Sequence, residues 1–298
     1  MKLYAPKYYK QFKCIANKCR HSCCIGWEID IDPDTVEKYA SISGRYSNKI
    51  KKSIDFGETP HFRLGENEKC PHLDECGLCR IISEYDEGLL CDICREHPRF
   101  YNDTNYGKEV GIGMSCEEAS RIILSSDNYS ELYFVEEICG EVEPCDFDAL
   151  SQRERVYEIL LCNELEYCEK LYKIGSEFGV SLSYRSDEEW KQLLLSLEYL
   201  DDAHRSLFEC FSAECKTSYA YEKQLERAFA YFVYRHCSGT YDMQEFCASV
   251  GFSLLCERLL SSLASNNDID ITELARIVSE EIEYSEDNTG AIKAKFYK

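Results

Sequence analysis

The chain of 298 residues carries 55 acidic and 34 basic side chains, a formal net charge of −21 at pH 7, and 44% of its residues are hydrophobic. That apolar content supports real cores and excludes wholesale disorder despite the charge. The imbalance is regional: residues 1–102 hold 16 basic and 16 acidic side chains, so the whole deficit falls in residues 103–298. Such a surface repels phosphate backbones and anionic lipid, which argues against nucleic-acid and membrane binding. Met1–Cys14 lacks the apolar stretch of a signal peptide, and no apolar run approaches the roughly 20 residues that cross a bilayer. A cytoplasmic protein is expected, in which 19 cysteines serve as reduced thiols or metal ligands rather than disulfides.

In chain order, Trp27-Glu28-Ile29-Asp30-Ile31-Asp32 alternates as a strand does, and Asp32-Pro33-Asp34 opens a turn or helix carrying Val36 and Tyr39. Gly57, Pro60, Gly65 and Pro71 punctuate a stretch of loops with at most short strands. Gly107, Gly111 and Gly113 lack the G-x-G-x-x-G spacing of a dinucleotide fold and read as a turn. Ser115-Cys116-Glu117-Glu118 opens a helix through Ile123, with acidic residues where the helix dipole favours them. The signal is weak over 125–144. From Gln152 apolar stripes recur at helical spacing: Val156 to Ile174, Trp190 to Leu197, Leu225 to Val233, Phe246 to Leu263 and Ile271 to Ile282. The polar tail from Ser285 is expected to fray. The fold class is therefore mainly α: a cysteine-rich, loop-rich N-terminal metal module with short strands over residues 1–124, then an acidic all-α helical bundle over 125–298.

Ten cysteines fall between Cys14 and Cys116. Cys14, Cys19, Cys23 and Cys24 form one group; Cys70, Cys76, Cys79, Cys91 and Cys94 form a second; Cys116 stands apart. If the first segment is helical, Cys19 and Cys23 share a face as i and i+4, and Gly26 offers a break beyond Cys24. The neighbouring Lys18 and Arg20 favour the thiolate that binds metals. Cys76/Cys79 and Cys91/Cys94 are two C-x2-C pairs at nearly zinc-site spacing, and soft thiolates suit an iron–sulfur cluster equally. The nine cysteines from Cys139 to Cys256, Cys162, Cys168 and Cys215 among them, are scattered singly and read as ordinary thiols.

The run Phe12-Lys13-Cys14-Ile15-Ala16-Asn17-Lys18-Cys19-Arg20-His21-Ser22-Cys23-Cys24-Ile25-Gly26-Trp27 resembles the opening of the flagellin lysine-N-methylase (FliB-type) proteins. Cys70-Pro71-His72-Leu73, Leu78-Cys79-Arg80-Ile81, Cys94 with Pro98-Arg99, and Ser115-Cys116-Glu117-Glu118-Ala119 with Arg121 extend the likeness over roughly residues 8–124. Glu226-Arg227, Tyr231-Phe232 and Tyr234-Arg235 resemble that family's later helix. The resemblance implies methyl transfer from S-adenosylmethionine to lysine side chains of flagellin. It also implies a cysteine-bound centre, four-iron–four-sulfur by expectation with zinc as the alternative, drawing on Cys14, Cys19, Cys23, Cys24, Cys70, Cys79, Cys94 and Cys116. Cys76 and Cys91 are additions of this chain, and His97 stands where the family carries an aromatic residue. Gly26 replaces the third cysteine that a C-x3-C-x2-C radical-adenosylmethionine triplet would need after Cys19 and Cys23, so a structural or orienting role suits the centre better than radical initiation. The rival readings are a metal-stabilised interaction module without catalysis and a redox or iron sensor.

Overall fold

The computed structural model describes residues 1–142, 144–214 and 220–297. Its contacts separate into two units, Lys13–Pro98 and the combination of Met1–Phe12 with Arg99–Lys298. The chain thus begins in the larger unit with strand β1 (Lys2–Pro6), leaves after Phe12, builds the smaller unit and returns at Arg99. This division differs from one at residue 124, because two strands that follow residue 98, over Gly107–Ile112 and Leu132–Glu137, pair with β1.

In the smaller unit the expected helix forms as α1 (Pro33–Ser41). Asp32 is its N-cap, accepting from the Thr35 amide at 2.9 Å, and Pro33 fills the first-turn position where a missing N–H costs nothing. Then follow α2 (Ser47–Ser53), the hairpin of β2 (Ile54–Phe56) with β3 (Pro60–Phe62), and two five-residue helices, α3 (Arg80–Glu84) and α4 (Asp92–Glu96). The alternating Trp27–Asp32 run is extended and lies along β3: the Ile31 amide donates to Pro60 O at 2.7 Å and the Phe62 amide to Ile29 O at 3.0 Å. It forms only the single bridge Asp30–His61 before Pro33 turns the chain into α1. Ile29, Ile31, Tyr39, Tyr46, Ile50, Ile54, Phe62 and Ile81 are buried together with Cys70 and Cys91.

In the larger unit β4 (Arg99–Thr104) and β5 (Gly107–Ile112) make a hairpin, β5 runs parallel to β1, and β1 pairs antiparallel with β6 (Leu132–Glu137), giving the order β4-β5-β1-β6. The glycines expected as a turn are mostly strand. Gly107 has φ +152 and a Cβ there would lie 2.4 Å from the Lys2 carbonyl; one on Gly111 would enter the Phe100 ring at 2.3 Å. Close strand approach, and not a bend, is what these residues provide. β6 occupies the weak stretch, where its half-exposed pattern dilutes the alternation.

The helices are α5 (Glu117–Ser125), α6 (Ala149–Leu160), α7 (Tyr167–Glu177), α8 (Asp187–Ser196), α9 (Asp202–Arg205), α10 (Glu222–Cys237), α11 (Met243–Asn266), α12 (Ile271–Val278) and α13 (Glu286–Lys293). Helix dominates, as the apolar stripes predict, with the mixed sheet as the addition. Contrary to the expectation about apolar runs, α11 is long and apolar enough to cross a membrane, yet 94% of its apolar window is buried inside the chain as the central core helix. Gly251 within it meets the ring of Phe296. The tail does not fray: α13 buries Ile292, and Phe296 stacks on Trp190 at 5.5 Å.

Helices and sheet are tied by charge. Arg153 of α6 donates to both carboxylate oxygens of Glu109 on β5, at 2.6 and 2.7 Å, and also reaches Ser238 Oγ. The pair is almost wholly buried, at 2% and 0% exposure. Removing one partner leaves the other as an uncompensated interior charge, so Glu109→Gln is expected to lower the unfolding free energy by about 3 kcal/mol. Glu177→Gln, which breaks the exposed pair with Arg155, should cost under about 1 kcal/mol. Urea unfolding midpoints of the two variants check this.

Candidate metal centre

Five of the clustered thiols converge in the smaller unit. Cys70 and Cys91 belong to its buried core, and Cys24, Cys79 and Cys94 pack against that core. The backbone explains the convergence. The Cys70 amide donates to Cys24 O at 2.8 Å, joining the two sequence clusters, and the Arg80 amide donates to His72 O at 2.8 Å, closing the loop from Cys70 to Cys79. Gly77, at φ +76, and the Asp74 side chain, which accepts from the amides of Cys76 and Leu78 at 2.8 Å each, turn that loop tightly. Cys79 and Cys91 then stand at the N-caps of α3 and α4, where unpaired helix amides favour negative sulfur.

Neighbouring amides act to lower three of the thiols: those of Ile81 and Ile82 on Cys79, that of His72 on Cys70, and that of Cys94 on Cys91. Burial still pushes the Cys70 thiol up to about 12 and raises Cys79. The Cys91 and Cys94 thiols share a hydrogen bond that lowers Cys91 and raises Cys94. Cys24 is brought down to about 7 by its bond with Cys23. Cys70 and Cys79 are donors that burial keeps protonated and that a cation would deprotonate.

The remaining expected ligands are placed differently. Cys14 and Cys23 are exposed, and the Cys19 thiol donates to His21 O at 3.1 Å. The opening segment is not the helix that would stack Cys19 on Cys23: a single turn at Ala16–Lys18 gives way to extended backbone at Cys19. Cys116 is the N-cap of α5 in the larger unit. Cys76 is exposed, whereas Cys91, the other addition of this chain, is 1% exposed within the sulfur group. Its place at a helix start beside Cys94 is the signal that its C-x2-C spacing carries. The expectation of reduced thiols fails at Cys168, which is disulfide-bonded, and Cys215 lies outside the described residues.

Among the described residues, the metal-ligand atoms found within 4.8 Å of one another are those of His204, Glu280 and Glu281. No three of the five thiol sulfurs meet that spacing. Tetrahedral zinc with 2.3 Å bonds sets its sulfurs about 3.8 Å apart, so the side chains as placed are not drawn around one such ion. The His204 set is already engaged: Glu281 accepts from Leu200 and Asp201 amides and from His204 Nδ1, and Glu280 accepts from Arg276.

In the larger unit Tyr231, Tyr234 and Arg235 of α10 are parts of a buried polar network. Tyr231 donates to Glu283 Oε2 at 3.1 Å and accepts from Arg235 Nη1 at 2.9 Å and the Met114 amide at 3.2 Å; Tyr234 donates to Val110 O. His236 Nε2 bonds Glu283 Oε1 at 2.7 Å, and burial brings the imidazole down to about 4, so it donates as the neutral ring. Burial alone would raise the Glu283 carboxyl, but Arg235, His236 and Ser279 hold it below the usual range. Glu283 ends a π-helical turn, Ser279–Glu283, and nothing in the local sequence marks it.

The chain is 30% identical over 132 residues to the lysine-N-methylase of Salmonella typhimurium and, over the same length, to that of Salmonella choleraesuis; each match covers 40% of this chain and 32% of the methylase. It is also 30% identical over 129 residues to the flagellar biosynthetic protein FliU of Salmonella muenchen, covering 75% of that protein. The chain thus spans about a third of the length of the two curated methylases. No family model and no solved structure matches.

One titration is predictable from the geometry. The Glu281 carboxylate raises His204 above 6.5. A raised folded pKa stabilises fully below the unfolded value and is lost as pH climbs through the folded value. The unfolding free energy is therefore expected to fall over that interval, and His204→Gln to remove that part of the dependence, as measured by urea unfolding at pH values spanning the imidazole range.

Proposed function

Because the chain belongs to the flagellin lysine-N-methylase (FliB/FliU-type) family, we propose that it transfers methyl groups from S-adenosylmethionine to lysine side chains of flagellin in the cytoplasm. The observation that carries the reading is the 30% identity extending over 75% of the FliU chain. The acidic residues of 103–298 suit a lysine-bearing partner, since they attract the ammonium and its carrier over a Debye length. In the reaction a nitrogen–carbon bond forms as the sulfonium sulfur–carbon bond breaks. The acceptor must first lose its ammonium proton and be held in line with the methyl carbon.

In this reading the smaller unit holds the inorganic centre. Cys24, Cys70, Cys79, Cys91 and Cys94 supply soft donors, neighbouring amides favour the anionic form of three of them, and such thiolates suit an iron–sulfur cluster, with zinc as the alternative. The family likeness also draws on Cys14, Cys19 and Cys23 of the same unit, and on Cys116 of the larger one. Such a centre would fix the ends of the loops that carry its ligands. One observation favours a metal-stabilised interaction module without catalysis: the matched stretch is only 32% of each methylase.

Anaerobically prepared chain incubated with methyl-labelled S-adenosylmethionine and flagellin is expected to label lysine; absence of label with metal fully bound decides for the module. Cys70→Ser and Cys91→Ser are expected to lose most of the bound metal and of the folded yield, because metal binding is coupled to folding. Cys76→Ser and Cys162→Ser, at an exposed and a half-buried thiol outside the group, should retain both. Elemental analysis of the four purified variants measures the difference.

A further inference from the structure

The hydroxyl of Tyr39 on α1 is buried without a hydrogen-bond partner, and the residue is 1% exposed. Buried hydroxyls are nearly always paired, so a phenol enclosed at this depth calls for an acceptor. The neighbours indicate its chemistry. Asp32 clamps α1 to α4, accepting from the Thr35 amide at 2.9 Å and from the Asp92 amide at 2.8 Å. That clamp sets α1 beside the helix start that carries Cys91 and Cys94. Tyr39 shares its buried cluster with Cys70 and Cys91. After burial itself, the groups that act on its hydroxyl are the thiols of Cys91, Cys94 and Cys79, then Asp32. A protonated thiol is a poor acceptor, and an anionic, metal-bound sulfur is a good one.

We propose that Tyr39 donates a hydrogen bond to a sulfur of the centre held by the thiol group, and so acts as a positioning residue that tunes that centre. The proposal rests on the metal-centre reading above. A hydrogen bond to a cluster sulfur withdraws electron density and makes reduction easier. The phenol therefore stabilises the loaded unit and contributes nothing to the metal-free one.

The test uses the full chain loaded anaerobically with iron and sulfide, comparing wild type with Tyr39→Phe and with the control Tyr85→Phe, whose hydroxyl bonds the Ser43 carbonyl at 3.3 Å in the same unit. Tyr39→Phe is expected to bind the same metal, to have a lower reduction potential, and to lose one exchangeable proton coupled to the reduced cluster in electron–nuclear double resonance. Its thermal midpoint without metal should match or exceed that of wild type, while the rise on loading is smaller. Tyr85→Phe should leave the potential unmoved. If Tyr39→Phe does not fold, 3-fluorotyrosine at position 39, a stronger donor, is expected to shift the potential upward. Equal metal with unchanged potential and unchanged proton coupling overturns the role of Tyr39 and leaves the metal centre standing. A wild-type chain that takes up no cluster, or only zinc, overturns both.

Discussion

The smaller unit has little apolar interior to hold it. Its helices run from five to nine residues and its one hairpin pairs three residues a side. Two of its ten buried core side chains are cysteines, with three more packed against them. With so little apolar burial, the hydrogen bonds that join its loops carry a larger share of what holds the unit together. Cys79 and Cys91 stand at helix starts, and Cys24 and Cys70 are joined by a backbone hydrogen bond between segments. His72 belongs to the same framework: its ring, brought down to about 4 by burial, bridges Tyr46 and Ser53 as a neutral group.

The larger unit meets the opposite constraint. It has apolar interior in plenty, and it places charge there: Arg153 with Glu109, Arg258 with Glu257, and Glu283 among Tyr231, Arg235 and His236. Buried ions are tolerated only where partners replace water completely, which restricts how the surrounding helices can pack. The Glu109 pair fixes α6 on the sheet, and the Glu283 network fixes the end of α12 against α10. The aromatic rings of Phe100 and Tyr284, whose centroids lie 4.8 and 5.1 Å from the Arg235 guanidinium, complete the enclosure of that cation.

Local rules carried the sequence reading a long way. Asp32-Pro33 named the start of α1, and the apolar stripes named α6, α8, α10 and α12, which pack on a common core, and α11, which is buried nearly all round within it. The cysteine spacing located the sulfur-rich unit. What escaped depends on distant parts of the chain. β5 looked like a turn because its glycines answer to the Lys2 carbonyl and the Phe100 ring, neither of which is near in sequence. Cys91 stood outside the family likeness, and only folding brings it to Cys70. Glu283 gains its meaning from α10, about fifty residues earlier.

The insertion of Lys13–Pro98 between β1 and β4 has a consequence of its own. The host ties the two points where its chain is interrupted: Arg99 Nε donates to the Tyr9 hydroxyl at 2.8 Å, and its guanidinium lies 5.8 Å from the Phe12 ring. The β4-β5-β1-β6 sheet therefore closes with residues of the host alone. The four strands are thereby continuous with one another, and the inserted segment contributes no strand to them.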